Sequence, residues 1–215
     1  MMFISFEGIE GSGKTTQVEL LTGSLEAKGC ECIATREPGA TRIGRGIRDI
    51  LLDSTHSNML PLTELLLYEA DRAQHVHDVI RPALAAGKVV VSDRFFDATT
   101  VYQGYARGCD LELIERIHQV VLSSLTPDLT FILDLPVEMG LERAWQRIHS
   151  RNGNLPEDRF EKEALEFHQK VRLGYLTLAK NEPGRFRVVD ASGVPQTAHK
   201  DVLKAVLQHN SRAGR

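Results

Sequence analysis

Short runs of apolar, β-rich residues punctuate this chain, and helical patterns fill the spaces between them. Residues 3–6 form the first such run. The amphipathic stretch 14–28 predicts a helix, and Gly29 follows it where helices commonly stop in the left-handed conformation. Residues 32–35 predict a second strand, and helical periodicity covers residues 42–52 and 62–80. Residues 88–92 and 129–135 read as continuous buried strands, residues 187–189 as a shorter one, and residues 197–209 as a closing helix. Strands that are apolar throughout have no solvent face, so helices must cover both sides of their sheet. The pattern predicts an α/β fold: a five-stranded parallel sheet flanked by helices on both faces. Residues 150–158, SRNGNLPED, are polar and rich in turn formers, which predicts a loop and not a linker between domains. The expected organisation is one domain over residues 1–210, with a short lid insert at about 143–160 and a frayed tail at 211–215.

Composition narrows the function classes. A chain of 215 residues, 42% hydrophobic and 26% charged, can close a core without disulfides or structural metal. Its 26 Lys and Arg against 29 Asp and Glu leave a net charge of −3. That balance argues against diffuse binding to nucleic acid or an anionic membrane, though not against a local basic site. No run approaches the ~20 apolar residues of a membrane helix, and the N-terminal MMFISFEG lacks the pattern of a signal peptide. Three cysteines, Cys30, Cys32 and Cys109, suggest reduced thiols in a cytoplasmic protein. Cys30 and Cys32 have no second Cys/His pair at zinc spacing, so they read as strand residues rather than metal ligands.

One segment carries chemistry on its own. Gly8-Ile9-Glu10-Gly11-Ser12-Gly13-Lys14-Thr15 fits GxxxxGK(S/T), follows a predicted strand and opens a predicted helix. That context identifies a phosphate-binding P-loop and predicts a P-loop NTPase fold. Gly8, Gly11 and Gly13 let the backbone approach an anion closely. The N–H groups of the loop, from Ser12 through Thr15 and Thr16, then point at phosphate oxygens. Lys14 adds a cation for the β- and γ-phosphates, and Thr15 offers a hydroxyl to Mg²⁺. A turn of this kind that binds nothing is the weak alternative.

The rest of the chain selects among P-loop proteins. A guanine-reading NKxD is absent, and the one DxxG, at residues 190–193, follows the last strand, which disfavours a nucleotide switch. A remodelling ATPase would need further domains. After the second strand comes Thr35-Arg36-Glu37-Pro38-Gly39, and after the third comes Asp93-Arg94-Phe95. Two arginines at strand ends beside a P-loop are natural phosphate clamps, and Asp93 is a natural partner for Mg²⁺ and its waters.

The P-loop, TREPG, ADRAQHV (residues 70–76), DRF and YQG (residues 102–104), in this order, resemble the bacterial thymidylate kinases. The resemblance runs from about residue 2 to about residue 191. It implies transfer of a phosphoryl group from MgATP to dTMP, and a homodimer. It implies that Tyr68 stacks on thymine and that Arg72, one helical turn further on, contacts a base carbonyl. Thr99 and Gln103 match base-contacting positions. Arg36 and Arg94 match the arginines on the 5′-phosphate, with Arg48 assisting. Glu10 matches the carboxylate near the sugar hydroxyl, and Asp93 the acid that organises Mg²⁺. Two positions depart from the family pattern: Ala40 stands where a second glycine is usual, and Phe95 where tyrosine or histidine is usual. The Glu37–Pro38 bond lies in what resembles a tight family turn, with cis and trans both open. The family carries a catalytic arginine either in the P-loop or in the lid. Gly11 stands at the P-loop position, so the resemblance directs attention to Arg147 and Arg151, with Arg159 a further candidate. Arg143, Arg147 and Arg151 recur every fourth residue, which suits a face turned towards polyphosphate. The runner-up reading is a deoxynucleoside (thymidine) kinase, which would need a carboxylate base such as Glu37 or Asp93.

Overall fold

The computed structural model describes residues 2–150 and 159–213. Five strands, β1 (Met2–Glu7), β2 (Cys32–Arg36), β3 (Val89–Asp93), β4 (Leu129–Asp134) and β5 (Phe186–Asp190), form one sheet in the order β2-β3-β1-β4-β5. Every neighbouring pair is parallel. β1 lies at the centre, so whatever follows it sits in the middle of the sheet's carboxyl edge.

The side-chain alternation of β1 builds the two layers. Met2, Ile4 and Phe6 face α1 (Lys14–Glu26) and the C-terminal helix α9 (Pro195–Ala213), and pack with Val18, Leu21, Leu25, Val202 and Val206. Phe3 faces the other layer, against Val76, Ile80 and Phe95. That layer also holds α2 (Arg42–Leu52), α3 (Pro61–His75), α6 (Leu111–Leu122) and α8 (Leu165–Asn181). β1 has Ser5 and Glu7 on this side, and both are buried. The Ser5 and Thr130 hydroxyls share a hydrogen bond of 2.9 Å, and Arg185 reaches Thr130 and Asp97 beneath them.

Glu7 is held by the Phe95 amide at 2.7 Å and the Tyr175 hydroxyl at 2.8 Å. Burial, reinforced by Asp97, pushes its pKa from 4.5 up to about 8. The folded state therefore keeps a proton that the unfolded state has released between those values. Stability from this group is complete below pH 4.5 and is lost as the pH rises towards 8. Glu7→Gln should gain stability relative to the native chain across that window, with a slope approaching about 1.4 kcal/mol per pH unit. Urea denaturation at pH 5, 7 and 8.5 measures it, and a difference that does not change with pH would refute it.

The helix expected over residues 62–80 is interrupted. α3 ends at His75, residues Val76–Ile80 form a π-helical turn, and α4 (Arg81–Ala85) follows. Pro82 explains this, since it has no N–H to donate and its ring crowds the carbonyl one turn back. A second π-helical stretch, Thr100–Ala106, continues α5 (Phe96–Thr99) and buries Val101, Tyr102, Gln103 and Gly104 consecutively. The segment expected to form a lid begins in α7 (Val137–Ser150), and the predicted loop beyond Ser150 lies outside the described residues up to residue 158. Part of the expected tail is helical, because α9 continues to Ala213.

Candidate active site

The carboxyl ends of β1, β2 and β3 open onto a cleft of about 940 Å³. In open α/β sheets this edge is where ligands bind. Residues 8–15 turn from β1 into α1, with Gly8, Gly11 and Gly13 all at positive φ (139°, 69° and 89°). A Cβ on Gly8 would meet the Leu133 carbonyl at 2.7 Å, and one on Gly11 would collide with the Gly140 carbonyl of α7. Gly8 and Gly11 thus have no room for a side chain, whereas at Gly13 only the left-handed backbone, and no neighbouring atom, opposes one.

Lys14 is only 7% exposed. Its ammonium folds back into the loop, donating to the carbonyls of Gly8 (3.0 Å) and Ile9 (2.7 Å) and to the Ser12 hydroxyl (3.1 Å). These acceptors fix the position of the ammonium, while burial and the Arg94 guanidinium push its pKa down from 10.5 to about 7. Thr15 donates its hydroxyl to Asp93 at 2.6 Å, which places two hard oxygen groups side by side. Among the described residues no cluster of three or more His, Cys, Asp or Glu is placed to form a metal cage. Oxygen ligands in small number fit Mg²⁺, which keeps waters and takes its other ligands from substrate phosphates.

Arg94 follows β3 with a φ of 72°, a left-handed conformation that costs a non-glycine residue energy. The turn aims its guanidinium at the P-loop, where it donates to the Gly8 carbonyl (2.8 Å) and Glu10 (3.1 Å) and stacks over Tyr102. The Tyr102 hydroxyl donates to the same Glu10 oxygen at 2.6 Å, and His168 Nδ1 lies 3.2 Å from the other. Burial opposes the charge on Glu10, but His168, Arg94 and Lys14 outweigh it and hold the carboxyl well below the usual range.

The TREPG segment forms the opposite wall. Its Glu37–Pro38 bond is cis. Arg36 is exposed in the cleft, and Arg48 of α2 donates to the Pro38 carbonyl at 3.0 Å while also lining the cleft. The Gly39 amide donates to Asp71 at 3.0 Å. Glu37 points inward, where it accepts from Arg72 Nε (2.8 Å) and pairs with His75 Nδ1 (2.8 Å).

Arg72 is 1% exposed and does not line the cleft. It pairs with Glu37 and Glu69, and donates to the Thr99 hydroxyl (3.0 Å) and the Phe95 carbonyl (3.3 Å). Those bonds commit four of its five N–H groups. Phe95 lies fully in the core, packed edge-on against Phe3 and under the Arg72 guanidinium. Tyr68, Thr99 and Gln103 do line the cleft. The Gln103 amide nitrogen donates to Glu64 at 2.7 Å.

The arginines expected from the lid separate. Arg147 is 53% exposed, lines the cleft and lies 3.6 Å from Glu161. Arg143 instead donates to the carbonyls of Ala191 (2.8 Å) and Ser192 (2.7 Å) after β5. Arg159 turns inward to the Leu51 carbonyl and Glu64, away from the cleft. Arg151 lies outside the described residues. The cleft also takes in Arg45 and Glu161, which the sequence reading did not single out. Tyr102 was visible only as part of YQG. His168 carries no local sequence signal, because only the fold brings α8 behind the P-loop.

A parallel sheet with a P-loop after its central strand, facing arginines at the neighbouring strand ends, defines a P-loop phosphotransferase. The sequence matches the family model described as Thymidylate kinase over residues 6–202. It is 58% identical over 193 residues to the thymidylate kinase of Desulfosudis oleivorans, covering 89% of this chain and 90% of that one. It is 54% identical over 213 residues to the thymidylate kinase of Desulforapulum autotrophicum, covering 99% and 92%. Among solved structures, thymidylate kinase from Ehrlichia chaffeensis superposes with a TM-score of 0.75 at 35% identity, covering 95% of this chain and 98% of that one. The chain belongs to the thymidylate kinase family.

Proposed function

We propose that the protein transfers the γ-phosphoryl group of MgATP to dTMP, giving ADP and dTDP for the synthesis of dTTP. The observation that carries this reading is a P-loop lysine facing several arginines across one cleft, Arg36, Arg48 and Arg94 among them. The acceptor is a phosphate oxygen, anionic near neutral pH, so no base is required. Positioning and charge stabilisation are enough. A deoxynucleoside kinase would need a carboxylate to take a proton from a hydroxyl. Glu37 is committed to Arg72 and His75, and Asp93 accepts from Thr15, so neither is available for that role.

In this reading the loop amides from Ser12 to Thr16, with Gly8, Gly11 and Gly13 shaping the backbone, cradle the ATP phosphates. Lys14 swings from its carbonyl partners onto the β- and γ-oxygens. Thr15 and Asp93 would hold Mg²⁺, which would supply charge neutralisation of the phosphates. Arg36, Arg48 and Arg94 grip the 5′-phosphate of dTMP. Glu10, kept anionic by its neighbours, accepts from the sugar hydroxyl. Tyr68 stacks on the base, Thr99 and Gln103 meet its edge, and Arg72 acts from behind Thr99, whose hydroxyl it holds. Arg147 and Arg151 supply positive charge from the lid, whose closure over about 143–160 excludes water.

Two further elements belong to the proposal. The exposed face of α3 carries Leu62, Leu66, Ala70 and Ala73 at helical spacing, an apolar stripe that suits a homodimer contact. Three free cysteines fit a reducing cytoplasm, and among the described residues no helix is long and apolar enough to cross a membrane. A coupled ADP-release assay with dTMP and thymidine side by side tests the reaction. Turnover of dTMP should dominate, and faster turnover of thymidine would overturn it.

A further inference from the structure

Glu64 lies in the first turn of α3, 1% exposed and outside the cleft lining, yet four donors converge on it. Gln103 Nε2 reaches its Oε1 at 2.7 Å and Arg107 Nε the same oxygen at 3.3 Å. Arg159 Nη2 and Arg107 Nη2 reach its Oε2 at 2.5 and 3.5 Å. The two arginines are themselves fixed. Arg107 donates to Glu163 at 2.6 Å and lies over Phe167, while Arg159 lies over Phe160 and donates to the Leu51 carbonyl.

This frame decides the orientation of one amide. A glutamine side chain can present either an N–H pair or a carbonyl oxygen, and rotation by a half-turn exchanges them. A carboxylate that already collects two guanidinium groups offers only acceptor sites, so the Gln103 NH₂ must face it. The Gln103 carbonyl oxygen is then turned the other way, on a side chain that lines the cleft beside Tyr68, Thr99 and Tyr102. No described residue donates to that oxygen. Flipping the amide would set its oxygen against the Glu64 carboxylate, leaving two acceptors in contact inside a buried site.

We propose that Glu64 is a positioning residue for base selection: by locking the Gln103 amide it presents a fixed acceptor to the cleft, which favours a pyrimidine with a proton on N3 over one with a bare N3. Thymine and uracil carry that N–H. Cytosine has a lone pair there and would face the carbonyl oxygen acceptor to acceptor. A site built around a hydrogen bond rejects the analogue that cannot make it far more strongly than an apolar pocket rejects a change of size. This inference rests on the dTMP reading of the cleft.

The test compares kcat/KM for dTMP and dCMP at saturating MgATP in the full-length native chain and in Glu64→Gln. A glutamine at that position can offer Gln103 either an oxygen or an N–H, so the amide is free to flip. The ratio of the two specificity constants should fall about tenfold or more, chiefly through a higher KM for dTMP, while KM for ATP stays unchanged. Placing Glu64→Gln on a Gln103→Leu background should change the ratio no further, because Glu64 acts through that amide. If Glu64→Gln does not fold, Glu64→Asp keeps the charge for both arginines but withdraws the oxygen from Gln103, and the same fall is expected. A proportional loss for both nucleotides, with the ratio intact, would be a purely structural effect and would overturn the proposal. A native chain that does not phosphorylate dTMP would instead overturn the assigned reaction.

Discussion

Replacing Lys14 by methionine should lower kcat by about 10³-fold or more while leaving the protein folded. Methionine keeps the length and apolar stem of lysine but removes the only lysine charge in the P-loop. In the ligand-free protein that charge sits among three acceptors and close to Arg94, and burial drives its pKa down to about 7. The ammonium is thus poorly stabilised until phosphate arrives, so its loss costs the empty fold little. The cost falls on the transferring phosphoryl group, whose stabilisation is nearly all electrostatic. Steady-state kinetics with dTMP, together with thermal melts with and without ADP, separates the two effects. The melting temperature without nucleotide should stay near that of the native chain, and the upward shift with ADP should shrink. Retention of a tenth of the native kcat would remove Lys14 from its assigned role.

Arg72→Met should be the most destabilising change at the site. Its guanidinium joins Glu37 from the TREPG loop, Glu69 from its own helix, the Thr99 hydroxyl and the Phe95 carbonyl, all out of contact with water. Removing one partner of a buried ion pair leaves uncompensated charge, which typically costs about 3–5 kcal/mol. For a domain of this size that corresponds to a fall in Tm of about 6–20 °C. His75 and His118 flank the two stranded carboxylates and soften the loss without replacing the bidentate fork. Arg72→Lys should recover only part of it, since an ammonium cannot span both carboxylates with the same geometry. Scanning calorimetry measures this directly, and a shift below about 3 °C would show that the network tolerates the loss.

The family resemblance implied that Tyr68 and Arg72, one helical turn apart, reach a base together. Tyr68 does line the cleft, whereas Arg72 lies behind Thr99 in the wall. Spacing gives the face of a helix, but not whether that face meets solvent or a neighbouring loop. The P-loop was legible because its chemistry is local: eight consecutive residues carry the turn, the cation and the hydroxyl. The strands were legible because apolar runs on both faces of a parallel sheet leave an unbroken pattern. Their ends in the structure differ from the expected ones by at most one residue. The Glu10–His168 pair and the Glu64 frame were not legible, because each joins elements far apart in sequence and each member looks ordinary among its neighbours. The lid arginines show the same limit. The regular stripe of Arg143, Arg147 and Arg151 suited one functional face, yet Arg143 is spent on two carbonyls, and the separate candidate Arg159 is spent on a buried carboxylate.

The contact between Gly11 and Gly140 has a mechanical consequence. A Cβ on Gly140 would meet the Glu10 carbonyl and the Ile9 side chain at 2.7 Å, and Ala144, one turn later, is fully buried. The first half of α7 is therefore pinned to the P-loop by backbone contact and serves as a fixed post. Any swing that carries Arg147 towards a nucleotide must pivot beyond Ala144, within the last turns of the helix. An arm that pivoted there would be short, and its anchor would be the P-loop itself, so displacing that loop would shift the base of the arm with it.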